Sequence, residues 1–201
     1  MEAEQTAGSK MSDFERWEKR YGAPGYLFGT APNAFLAAQA DRLRGRKTAL
    51  SVADGEGRNG VWLAEQGLDV LAKAETLARE RGVRLRTEVA DLTRWHWPRA
   101  AFDVIAAIFA HFAGAERDAF FANLTNALKP GGLLLMQSYR PEQLGYRTGG
   151  PPDAERMVTR ALLEQAFGDW AEFDIREHDS VIDEGSGHVG MSALIDLVAI
   201  R

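Results

Sequence analysis

Ten residues constrain this chain more than any others. Leu50-Ser51-Val52-Ala53 is strand-like and mostly apolar. It runs through Asp54 into a glycine turn, Gly55-Glu56-Gly57, and Arg58-Asn59 then leads to a helical pattern at about Gly60-Val61-Trp62-Leu63-Ala64. Two glycines let the backbone turn sharply and let a ligand come close. The helix that follows aims its free N–H groups and the positive end of its dipole at whatever sits there. Such a turn suits the polar part of a nucleotide-like cofactor, but the same pattern also occurs as plain turn chemistry. Its meaning depends on its neighbours.

The chain has 201 residues, enough for one domain with a substantial core. A net charge of −5 gives no basic footprint for nucleic acid or anionic lipid, so a small-molecule partner is expected. No apolar run is long enough to cross a membrane and no signal-peptide pattern is present. The absence of cysteine excludes disulfides, thiolate metal sites and a cysteine nucleophile, and it fits the cytoplasm. The four histidines lie in separate segments without ligand spacing, so no metal is expected.

Residues 1–11 read as a disordered tail or tag remnant, and 12–201 as a single domain. Residues 12–40 form its N-terminal helical lid, with Phe14, Trp17 and Tyr21 on one stripe and a second helix carrying Phe35 and Leu36. Trp17, Tyr26 and Phe28 sit beside a glycine-rich loop, where they either cover a ligand or pack on the domain. Strands are expected at Thr48 to Ala53, Val83 to Ala90 and Leu133 to Met136. The continuous apolar run Phe102 to Phe109 reads as a central parallel strand, covered on both faces. Helices are expected over Glu116 to Leu128 and Thr159 to Phe167. Phe173 to Ser180 and Ser192 to Ile200 close the chain as a hairpin across Glu184 to His188. The result is an α/β fold, a Rossmann-like, doubly wound and mostly parallel sheet with a C-terminal antiparallel hairpin. Ligands of such sheets sit at the carboxyl ends of the strands, which gathers Asp54 to Asn59, Asp91-Leu92, Phe109 to Phe112 and Ser138-Tyr139 into one neighbourhood.

The glycine turn, the Ala127-Leu128-Lys129-Pro130-Gly131-Gly132 segment and the hairpin together resemble class I S-adenosylmethionine-dependent methyltransferases. The Gly-Glu-Gly-Arg-Asn form with Val61 to Ala64, the Tyr21 to Asn33 approach and Pro141 to Tyr146 resemble the tellurite-resistance and thiopurine methyltransferase-like branch. The resemblance covers about Trp17 to Arg201. It implies S-adenosylmethionine as cofactor and a small-molecule acceptor, a thiol, chalcogen or similar soft nucleophile. Ala53, Asp54, Gly55, Gly57 and Asn59 would approach the methionine part, with Arg58 at its carboxylate or bracing the loop. Asp91 and the Leu92 N–H would meet the adenine, Phe109 and Ala110 would lie under the sulfonium, and Trp17 and Phe28 would close the site from above.

On the acceptor side, His111, Tyr139 and His188 are the catalytic candidates and Tyr146 a substrate contact. His111 is either a base or a histidine hydrogen-bonded at a strand end. Trp95, His96 and Trp97 read as an anchored loop, and His178 as a solvated strand position.

The chain departs from the family in two places. Ser51 stands where the first strand usually carries an acid, and Ala53 where the first glycine belongs. More seriously, Leu68-Asp69-Val70-Leu71 passes directly into the helical pattern Ala72 to Ala78, with no turn and no acid to hold the ribose hydroxyls. By comparison with the family, roughly nine residues are absent between Val70 and Ala72. Either the segment has dropped out of the sequence at hand, which the abrupt junction favours, or a true deletion leaves the ribose site incomplete. In the second case the chain is a non-catalytic binding module on a methyltransferase fold.

Overall fold

A computed structural model describes residues 25–72, 75–185 and 187–201. Residues 1–24, and with them the expected helix carrying Trp17, lie outside the described residues. Asn33 opens the first described helix, α1 (Ala34–Ala37), by accepting the Leu36 N–H on its side chain. A 3-10 turn at Ala40–Leu43 leads to β1 (Thr48–Val52), then α2 (Arg58–Glu65), β2 (Asp69–Ala72), α3 (Glu75–Glu80) and β3 (Arg86–Thr87). The chain continues as β4 (Phe102–Ile108), α4 (Gly114–Ala127), β5 (Leu128–Tyr139), α5 (Gln143–Tyr146), α6 (Arg160–Phe167), β6 (Glu172–Asp183) and β7 (Val189–Ile200).

The seven strands form one sheet in the order β3-β2-β1-β4-β5-β7-β6. The pairings from β3 to β5 are parallel, whereas β7 runs antiparallel to both β5 and β6. Strand β4 is the middle of the seven, as its apolar run required. Alternate side chains serve opposite faces. Ile105 and Ala107 join Leu134 and Met136 under Phe120 and Leu124 of α4 and Leu163 and Phe167 of α6. Val104 and Ala106 join Leu133 and Leu135 under Leu36, Leu43 and Leu63. The edge strand β6 is different: every second residue is exposed, and Glu172, Asp174, Arg176, Glu177 and Asp179 discourage pairing with another chain.

Several expectations need correction. Helix α2 starts at Arg58 rather than near Gly60, because Gly57 takes the left-handed conformation at φ 92° as its N-cap. The strand expected over Val83 to Ala90 contracts to two residues, since the short β2 offers it only Leu71 and Ala72 as partners. Strand β5 begins at Leu128, directly where α4 ends, rather than at Leu133. The zero-length junction after Leu71 is also corrected: β2 keeps Ala72, and α3 starts only at Glu75. Two residues therefore join strand to helix, the short end of the usual range. His178 is not solvated, for its Nδ1 meets Ser180 Oγ at 2.7 Å and its Nε2 meets Asp196 at 3.0 Å.

Ile105 is fully buried at the centre of the sheet. Truncation there leaves a cavity as well as lost transfer energy, so Ile105→Ala is expected to destabilise by about 2–5 kcal/mol in urea unfolding.

Candidate active site

The carboxyl ends of β1 and β4 open into a cleft of about 1040 Å³. That is at the upper end of small-molecule sites, which typically span roughly 300–1,000 Å³, and leaves room for two ligands side by side. On one side of the cleft the backbone folds tightly. Ala53 (φ 53°), Gly55 (φ 55°) and Gly57 (φ 92°) all lie in the left-handed region. Ala53 thus adopts, at some cost, the conformation for which the family's glycine is suited. Gly57 donates its N–H to the Asp54 carbonyl at 2.8 Å.

Asp54 is buried, and its carboxylate turns back onto the start of α2. It accepts the Gly60 N–H at 2.7 Å and the Asn59 N–H at 3.3 Å. Its charge therefore serves the helix terminus, and the attraction to a sulfonium or amine expected from the sequence is already committed. Burial pushes its carboxyl up to about 6, against the downward pull of those N–H groups.

Arg58 is buried as well. Its Nη2 pairs with Glu184 Oε2 at 2.5 Å, both side chains being at most 10% exposed, while its Nη1 is buried without any hydrogen-bond partner. Glu184 also accepts from Asn33 Nδ2 at 2.8 Å. The same Asn33 amide donates to Gln137 at 2.7 Å, and the Asn33 backbone N–H donates to Asn59 Oδ1 at 2.9 Å. Gln137 continues to Asp196 at 2.7 Å. One buried polar chain thus links the turn after β1, the approach to α1, the end of β5 and the β6–β7 turn. Asn33, Gln137 and Glu184 were missed by sequence reasoning. Lone polar residues in strands and turns carry no periodic signal, and only Glu184's place beside His188 hinted at its role.

The β6–β7 turn closes the site from above. Gly187 donates to the Leu27 carbonyl at 3.0 Å, and the Phe28 ring sits 4.4 Å from the His188 ring. Phe109, in the left-handed region at φ 54°, stacks on Tyr139 at 4.7 Å and meets His188 edge-on at 4.6 Å. His111 stacks on Tyr139 at 5.7 Å. The His111 Nδ1 lies 3.3 Å from the Arg156 carbonyl, an oxygen that only accepts, so Nδ1 carries the proton and Nε2 holds a lone pair. That Nε2 is buried and unpartnered, as is the Tyr139 hydroxyl. Burial lowers His111 to about 4 and holds Tyr139 well above the usual tyrosine range, so both are neutral near pH 7.

Phe28, Ala53, Asp54, Gly55, Arg58 and Asn59 line the cleft, as do Asp91, Leu92, Phe109, Ala110, His111, Tyr139 and His188. Gly57 stands behind them as the helix cap. Asp91 reaches the rim with Oδ1 already accepting from the Thr93 N–H and hydroxyl. Tyr146 is not brought to the cleft: it is exposed and donates to Asp179 at 2.8 Å, because α5 faces the outer hairpin strands. The sequence reading had not placed Gly149 to Pro152, Phe112 and Arg156 on the acceptor wall, where the structure brings them. At the far end, β2 offers Leu71 and no carboxylate. Asp69 lies at its start, 3.3 Å from Arg86, and Glu75 accepts from Thr87 Oγ1 at 2.9 Å. Trp97 is buried against Phe120, and Trp95 donates to Glu88 at 2.6 Å.

Residues 49–132 match the profile of a family described as a methyltransferase domain. A curated relative is phosphoethanolamine N-methyltransferase 1 of Arabidopsis thaliana, 28% identical over 140 residues, or 65% of this chain; the chain spans 28% of that protein's length. A structure reported for conversion of a disulfide bond into a thioacetal group during echinomycin biosynthesis is similar over 94% of this chain and 88% of that one. Its TM-score is 0.68 at 20% identity. TehB from Haemophilus influenzae gives 0.63 at 16% identity, covering 92% of this chain and 65% of its own. A 1,6-didemethyltoxoflavin-N1-methyltransferase of Burkholderia thailandensis, solved with S-adenosylhomocysteine, gives 0.56 at 19% identity over 84% and 78%. The chain carries a methyltransferase domain, its fold is the Rossmann-like one of these S-adenosylmethionine-dependent enzymes, and S-adenosylmethionine is the cofactor that goes with it.

Two outcomes follow from the charges. Glu184→Ala would leave the Arg58 guanidinium buried without its counter-ion, a loss expected to be about 3–5 kcal/mol by chemical denaturation. The folded state holds the Asp54 proton more tightly than the unfolded chain, whose value is near 3.8, so this group costs stability as pH rises from about 4 to about 6. The thermal midpoint of Asp54→Asn should therefore gain on that of the wild type across this window and run parallel to it above.

Proposed function

We propose that this chain transfers the methyl group of S-adenosylmethionine to a small molecule through a thiol, a chalcogen or a similar soft nucleophile. Membership of the tellurite-resistance and thiopurine methyltransferase-like branch is part of the same reading. The observation that carries it is the single cleft in which the glycine turn, Asp91-Leu92, Phe109 to His111, Tyr139 and His188 meet. The similarity to TehB and to a protein of sulfur chemistry supports the acceptor class.

The residues fit the methionine end of the cofactor. The unpartnered Arg58 Nη1 is a buried cation-bearing donor without an acceptor, as a carboxylate site requires. Gly55 lets backbone approach, Asp91 and the Leu92 N–H stand at the adenine end, and Phe28 forms the roof. When bound, S-adenosylmethionine supplies an electrophilic methyl carbon. The protein's main task is to hold the acceptor in line with it, since positioning alone supplies several kcal/mol of rate. His111 Nε2 is the hydrogen-bond acceptor available to orient an S–H or similar group. Its depressed value means that the imidazole gains a proton, and the site loses this acceptor, only as pH falls towards about 4.

One observation favours the alternative, a non-catalytic binding module: β2 ends without the acid that would hold the ribose. Titration calorimetry with S-adenosylhomocysteine separates the two. Micromolar binding is expected, and absence of heat with the folded protein would sink the enzyme reading. Restoring the nine-residue segment should create binding if the module reading is right. In an acceptor assay, the wild-type pH profile should show no histidine-like step near 6.5; a step there that His111→Gln abolishes would contradict the burial of His111.

A further inference from the structure

The sequence leaves the acceptor open, but the charge distribution of the cleft narrows it. The buried charges all lie on the side of the glycine turn and are already engaged, Asp54 by α2 and Arg58 by Glu184. Glu88 and Asp91 belong to the opposite rim, where Trp95 and Thr93 donate to them. On the acceptor wall the buried groups are rings and neutral polar atoms: Phe109, His111 and Tyr139, covered by Gly149 and Gly150. An added Cβ at Gly150 would stand 3.0 Å from the Tyr139 ring and one at Gly149 3.6 Å from its hydroxyl, so this loop lies directly against the wall. Only Glu116 and Arg156 bring charge there. They are of opposite sign, and Arg156 is within 3.4 Å of Asp153.

Resting on the methyltransferase reading, we propose that the acceptor binds uncharged, donating an X–H to His111 Nε2 and accepting from the Tyr139 hydroxyl, where X is sulfur, nitrogen or oxygen. Two buried polar atoms without partners on one wall are costly, about 1–3 kcal/mol each, and a ligand bearing a donor beside an acceptor satisfies both. An anionic or ammonium-headed acceptor would meet no counter-charge on this wall and would lose its hydration. Oxyanions and phosphorylated amines are therefore the wrong class for this chain, whatever its relatives accept.

The step balances. A lone pair of X forms the bond to the methyl carbon, and the bond from that carbon to the sulfonium breaks, its electron pair staying on sulfur. The proton of X passes to Nε2. A weak base suffices, because the X–H becomes far more acidic once X has given up its electron pair.

The test uses the wild-type protein saturated with S-adenosylhomocysteine and four probes of similar size: 2-pyridone, picolinate, 2-(aminomethyl)pyridine and selenite. The neutral 2-pyridone, with an N–H beside a carbonyl, should bind at least tenfold more tightly than the three charged probes by NMR titration. Tyr139→Phe should weaken 2-pyridone about tenfold and leave pyridine, which has no carbonyl, unchanged. A charged probe that binds as well as 2-pyridone overturns the proposal, and so does Tyr139→Phe without effect on it, or no binding of 2-pyridone at millimolar concentration. Failure of S-adenosylhomocysteine itself to bind is a different result, and it removes the methyltransferase reading on which the proposal rests.

Discussion

The ion pair of Arg58 and Glu184 holds the site together. Two opposite charges, both nine-tenths buried, give little net stability, because their desolvation offsets most of their attraction. What the pair provides is placement. Arg58 begins α2 and Glu184 ends β6, 126 residues later, so the contact fixes the last turn of the sheet over the first. Asn33 donates to Glu184 and to Gln137 from one amide, which ties the approach to α1 into the same node. Phe28 and His188 then stack as the roof of the cleft without long apolar elements to support them.

The sheet explains why these segments meet. Parallel pairing from β3 to β5 puts every strand's carboxyl end on one edge, and both faces are closed by helices, so that edge is the one concave surface the core leaves. The antiparallel β7 brings the C-terminal turn back to the same edge. Without it, Glu184 and His188 would lie at the opposite end of the sheet from the glycine turn.

The sequence made the scaffold legible because each strong signal had one physical meaning. The run Phe102 to Ile108 is apolar at every position but Asp103, and only a strand covered on both faces asks for that. Gly55 and Gly57 marked a turn that needs left-handed backbone. The site was legible only in part. Asp54 read as a charge facing a ligand because its type was visible and its rotamer was not; folded, it caps α2. Tyr146 read as a substrate contact from its loop, but the short α5 turns it toward Asp179. Asn33 and Gln137 gave no signal, since a single amide has the same composition whether it is solvated or fully engaged.

The two ends of the cleft are built to different standards. Around Arg58 every neighbouring polar group has a partner except Nη1, the atom that faces the expected carboxylate. At β2 the strand is four residues long, its only acid sits at the start in an exposed pair with Arg86, and β3 finds two partners on it. The register nevertheless survives: Thr48 to Leu50 still pair with Asp69 to Leu71. A shortened β2–α3 connection therefore changes what the strand end can hold without changing where the strand lies. The fold and the methionine end tolerate that loss, because their contacts run through β1, β4, β5 and β7. The ribose end does not, since its hydroxyls require a carboxylate that β2 cannot supply.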